Sequence, residues 1–113
     1  MKKNSKIFLE HIMDSILLIE EYAKDCSQSE FSKNQSLQDA VIRRLEIIGE
    51  AVKNLPLAYR AKHPDIPWKQ MAGMRDILTH HYFDVDLVLT WKVVKHELPQ
   101  VKKQISALLK EPE

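Results

Sequence analysis

The chain holds one cysteine, Cys26, in 113 residues. That excludes an internal disulfide and a thiolate metal cluster, and gives no sign of an oxidising compartment. Glycine is almost as scarce, with only Gly49 and Gly73. A chain so poor in the residue that tight turns and bulges demand, and without sustained apolar–polar alternation, reads as all helical. No apolar run approaches the ~18 residues of a membrane span. Ile7-Phe8-Leu9 follows two N-terminal lysines but is broken at once by Glu10 and His11, which is not a secretory h-region. Together these features predict a cytoplasmic protein. An excess of one charge is also missing: 17 basic residues face 16 acidic ones, for a net charge of +1. This balance excludes non-specific coating of nucleic acid, though not a small basic cleft.

What is present is helical periodicity. No repeat, low-complexity tract or boundary interrupts the sequence, so residues 1–113 read as a single domain. The spacing predicts a first helix over about Ser5 to Lys24, capped by Ser5 or Asn4, with Phe8, Ile12, Ile16, Ile19 and Ala23 on one face. Asp25 to Asn34 is polar and reads as a loop. A second helix is expected from Ser36, opened by a capping box to Asp39, to Leu55. Its stripe is Leu37, Val41, Leu45, Ile48, Val52 and Leu55, and the mid-helix Gly49 suggests close approach of another backbone. Pro56 stops it. A short helical turn, Leu57 to Lys62, leads to a third long helix begun by Pro67 and Trp68, with Met71, Met74 and Leu78 inward. Phe83 to Asp86 reads as a loop that caps the next helix, Leu87 to His96; Pro99 should break or kink it before a last piece to Lys110. The expected architecture is an up-and-down helical bundle of four to five main helices with a short connecting helix.

The chemistry concentrates in Gly73-Met74-Arg75-Asp76-Ile77-Leu78-Thr79-His80-His81-Tyr82-Phe83-Asp84-Val85-Asp86. Arg75 carries a permanent charge, His80 titrates near neutrality, and Tyr82 adds a phenol. RNA supplies its own nucleophile, the 2′-hydroxyl, so cleavage needs only a base and a cation on the phosphate. His80 is the candidate general acid or base, and Arg75 the candidate phosphate clamp. Asp76, one helical turn before His80, could orient the imidazole, and His81 could touch phosphate. At about 100° per residue, positions 75 and 82 share a stripe, but 80 lies about 140° from 75. One straight helix therefore cannot aim all three at one phosphate. Either it ends or distorts near Thr79-His80, or two copies of the chain share the site; the second arrangement is favoured, as a homodimer.

Arg75-x4-His80-x-Tyr82 resembles the signature of HEPN domains. The wider segment, with Ile48-Gly49-Glu50-Ala51 and Ile66-Pro67-Trp68, is similar to the HepT branch over nearly the whole chain. The resemblance implies a HEPN-like bundle, a cleft between two protomers, and a metal-independent endoribonuclease toxin that needs no cofactor. It also implies a partner, a minimal nucleotidyltransferase antitoxin of the MntA type, which AMPylates the tyrosine matching Tyr82, and assemblies that can exceed a dimer. AMP there would put a bulky anion into the cleft.

Plainer readings exist for each residue. Arg75 could form a salt bridge, His80-His81 could end a helix with favourable dipole contacts, and Tyr82-Phe83 could plug a loop. His11, His63 and His96 are scattered and read as surface residues; Glu46 and Glu50 read as solvent or interface acids paired with Arg43 or Lys53. Cys26 reads as a small filler or loop thiol, and Lys92, Lys95, Lys102, Lys103 and Lys110 as a solvated face. The whole chain could instead be a non-catalytic helical dimer that binds a nucleotidyltransferase or a nucleotide, or a purely structural dimerisation domain.

Overall fold

The structure, a computed structural model, describes residues 2–80 and 86–111; for residues 2–4 and 75–80 it describes the backbone only. Every regular element among the described residues is helical: α1 (Lys2–Ala23), α2 (Gln28–Lys33), α3 (Gln35–Asn54), α4 (Leu57–Ala61), α5 (Trp68–His80), α6 (Leu87–Lys92), a π turn (Val93–Glu97) and α7 (Leu98–Leu109). The shortest dimension of the bundle is 20 Å, the thickness of two packed helices at about 10 Å each. Helix α3 is central, packing against both α1 and α5, while α7 packs against α1.

The core follows from the periodicity. Helix α1 buries Leu9, Ile12, Ile16, Ile19 and Ala23, and α3 buries Val41, Leu45, Ile48 and Val52, with Leu55 just beyond. Leu9 thus takes the core place expected of Phe8, which is only partly buried. Gly49 is buried within α3. At the start of α1 the helix already runs from Lys2, so Ser5 lies buried inside it and is not its cap.

The segment expected as a loop, Asp25 to Asn34, contains α2. Asp25 adopts a positive φ of 58°, which reverses the chain after α1 at a residue type that tolerates it. Ser27 then forms a reciprocal capping box with Glu30: its hydroxyl accepts from the Glu30 N–H at 3.1 Å and its own N–H donates to the Glu30 carboxylate at 2.9 Å. Those hydrogen bonds from Ser27 hold the Glu30 carboxyl below its ordinary pKa. The box positions Phe31, which is fully buried, with its ring 4.9 Å from that of Trp91. Gln38, buried on α3, donates to the Phe31 carbonyl at 2.9 Å and satisfies it.

The cap of α3 is Asn34, whose side chain accepts from the Leu37 N–H at 3.0 Å. Asp39 is not part of a box with Ser36; it accepts from Gln35 at 2.9 Å. Pro99 neither breaks nor ends the last helical run. The chain widens into the π turn, where the Leu98 N–H reaches back to the Val93 carbonyl, and Pro99 enters α7 in its first turn. A proline there lacks an N–H that the helix start leaves free anyway. Two of the lysines expected on a solvated face are tied to α1: Lys95 donates to the Ala23 carbonyl at 3.2 Å and lies over Trp91, and Lys102 pairs with Glu20 at 2.8 Å.

Candidate active site

Helix α5 is fixed at its start. Pro67 accepts the Met71 N–H at 3.0 Å, Ile66 and Trp68 are buried, and the Trp68 indole donates to the His63 carbonyl at 3.0 Å. His63 is accordingly half-buried rather than a surface residue, its ring 5.0 Å from Tyr59. Burial and the nearby Glu111 carboxylate push the Tyr59 phenol above its ordinary pKa. Met71 and Met74 pack on the core. A small apolar cavity of about 60 Å³ lies between them and Leu45, Ile48 and Val101. The first half of α5 therefore rests on α3, and its second half carries the motif.

The backbone of α5 is helical through His80. It does not end before the motif histidine. Arg75, Asp76 and His80 all lie on this helix. In that register Asp76 and His80 share a face, whereas positions 75 and 80 are about 140° apart and about 7.5 Å apart along the axis. His81 and Tyr82 lie outside the described residues, as do Phe83, Asp84 and Val85. The side chains of Leu78, Arg75, Asp76 and His80 do so as well. The chain is next described at Asp86, which does cap the following helix: its carboxylate accepts from the Leu89 N–H at 3.0 Å, and its carbonyl accepts from the Thr90 hydroxyl at 2.8 Å.

Elsewhere, His11, Arg43, Glu46 and Glu50 converge on a cleft of about 280 Å³ between α1 and α3. Among the described residues, no group of three or more His, Cys, Asp or Glu side chains is arranged to hold a metal ion. No described helix is long and apolar enough to cross a membrane. Cys26 is half-buried, its thiol 3.4 Å from the Ser27 carbonyl, as a loop thiol. An open groove between α4 and α5, lined by Arg60, Lys69 and Gly73, was not anticipated. Arg60 and Lys69 have no periodic or motif signature, and the helices bring them together across a proline-rich connection.

A profile of the ribonuclease HepT-like family matches residues 12–108, a span that contains Arg75, Asp76, His80, His81 and Tyr82. A Methanocaldococcus jannaschii protein named a "gamma-glutamylcyclotransferase and putative RNase" is 56% identical over 98% of this chain, which spans 50% of that relative's length. A Thermococcus cleftensis protein named "Probable ribonuclease HepT" is 46% identical over 97% of this chain and 100% of its own length. A "Putative RNase" of Caldanaerobacter subterraneus is 44% identical over 95% of this chain and 96% of its own. No solved structure matches the chain significantly. With a profile match across most of its length and full-length relatives at this identity, the chain belongs to the ribonuclease HepT-like family, of the HEPN superfamily.

Proposed function

We propose that this chain is a metal-independent endoribonuclease, the toxin of a HEPN/MNT toxin–antitoxin pair. It acts in the cytoplasm as a single-domain protomer of a homodimer. The observation that carries the reading is the family match across the complete Arg75-x4-His80-x-Tyr82 segment, whose arginine and histidine stand on one continuous helix. That helix separates positions 75 and 80 around its axis, which supports a site assembled from two copies meeting about a two-fold axis.

In this mechanism the His80 imidazole removes the proton from a ribose 2′-hydroxyl. The 2′-oxygen bonds to phosphorus, and the bond from phosphorus to the 5′-oxygen breaks. An imidazolium returns a proton to that departing oxygen, leaving a 2′,3′-cyclic phosphate and a 5′-hydroxyl end. Arg75 holds the phosphate through paired N–H donors while charge builds on it. Asp76 and His81 support His80 and the phosphate respectively. Tyr82 lies in the cleft and is the residue that a cognate MNT-type nucleotidyltransferase AMPylates; the added anion blocks RNA by bulk and by repulsion.

Expression of Arg75→Ala or His80→Ala should abolish growth inhibition and the cyclic-phosphate product while circular dichroism stays that of the wild type. A His80→Ala protein as toxic as the wild type refutes the mechanism. Co-expression with the cognate nucleotidyltransferase should add one adenylyl group by intact mass, and Tyr82→Phe should remain unmodified.

A further inference from the structure

An open groove of about 850 Å³ runs beside α4 and the first half of α5. Its charged lining residues are Arg60, Lys69 and Asp65, two cations against one carboxylate. Arg60 is half-buried, and its buried Nε has no hydrogen-bond partner among the described residues. That atom is shielded from the groove, so Arg60 would meet an occupant through the terminal N–H groups of its guanidinium. Lys69 is exposed on the first turn of α5. At the far end the lining reaches Gly73, seven positions before His80 and on the same stripe of the helix, about 10.5 Å along the axis. Among the described residues, a Cβ built at Gly73 would meet nothing within 4 Å. No described side chain therefore requires this glycine, although glycine inside a helix is unfavourable. The groove is open beside it.

The lining also says how an occupant is held. Trp68 borders the groove but is buried, with its indole N–H committed to the His63 carbonyl. It offers no face on which a base could stack, so the groove is suited to a charged backbone rather than to base readout. We propose that this groove carries the single-stranded RNA flanking the cleaved linkage, with Arg60 and Lys69 each holding a backbone phosphate and Gly73 letting the strand pass closely into the motif. The inference rests on the ribonuclease reading above. A second copy of this chain seated in the groove is the competing occupant, disfavoured by the surplus of cations that leads directly to the motif helix.

The test is the salt dependence of binding to a ~12-nucleotide 2′-O-methyl RNA, which lacks the nucleophile and spans the site size of a single-strand groove. Each phosphate contact removed should flatten the slope of log affinity against log salt by about 0.7. Arg60→Gln and Lys69→Gln should each do so, and the double variant by about 1.4. Gly73→Ala should weaken binding without changing the slope. Lys33→Gln, the same charge change on α2, should leave the slope unaltered. Lys69 is exposed, so its variant cannot fail merely by unfolding. Sedimentation velocity is run on the same proteins. An unchanged slope in the double variant overturns the proposal, and an unchanged slope with a loss of self-association assigns the groove to a second copy instead. A wild-type protein that binds no RNA removes both this inference and the ribonuclease reading; wild-type binding with unaltered variants removes this inference alone.

Discussion

Replacing Gly73 by alanine should make the isolated chain more stable. Gly73 lies inside α5 with no positive φ, and an added Cβ would touch nothing within 4 Å among the described residues. The steric penalty is therefore absent. What remains is the gain from restricting the unfolded chain and from better helix propensity, about 0.5–1 kcal/mol. Unfolding entropy is about 2 cal/mol/K per residue, so a chain of this length loses roughly 0.24 kcal/mol of stability per kelvin near its midpoint. The expected rise in Tm is then about 2–4 °C. Scanning calorimetry at several protein concentrations measures it. A fall in Tm at every concentration would show that the space beside Gly73 is filled from within the chain, and the reasoning fails. A rise at low concentration that disappears at high concentration would locate a second copy against this face.

Phe31→Ala should cost about 3–5 kcal/mol by urea denaturation, because it empties a fully buried site against Trp91; a loss under ~1 kcal/mol would mean that α2 contributes little to the core. The Glu30 carboxyl is held below its ordinary pKa by the Ser27 cap, so its contribution is present above the pKa of the unfolded chain. It is lost as pH falls through the folded value. Glu30→Gln should accordingly flatten the acid limb of the stability–pH curve, and a curve identical to the wild type would show the box to be idle. Lys102→Ala should change stability by less than about 1 kcal/mol, because its ion pair with Glu20 is partly exposed; a larger loss in the same melt would contradict that weighting.

The four long helical runs were legible because their apolar residues repeat at three and four, as Ile12, Ile16 and Ile19 do in α1 and Val41, Leu45, Ile48 and Val52 do in α3. What escaped the reading depended on single residues competing with composition. Ser27-x-x-Glu30 is a helix start inside a polar tract, and only the lone Phe31 gave α2 something to bury. Gln38 fell on the apolar face because a helix end packed beside it exposes the Phe31 carbonyl, which no periodicity reveals. Pro99 reads as a breaker when a strict α register is assumed; a wider turn ahead of it removes the conflict. The motif was visible from residue types and spacing, and the helix that carries its arginine and histidine runs to His80. The groove was not visible, since it joins Arg60 and Lys69 through a connection whose path is decided by Trp68.

The π turn between Val93 and Glu97 holds one residue more than an α turn would. Its closing bond is correspondingly wider, and both Val93 and Val94 face inward there. Such a turn takes up an extra position while the helical segments on either side keep their faces. Deleting one residue here would therefore close the run into an α register with Val101, Ile105 and Leu108 still in the core and Lys102 still beside Glu20. The same deletion within α7 would instead rotate everything downstream by about 100°. The last helical run should thus accept a shorter count at this turn and reject it a few residues further on.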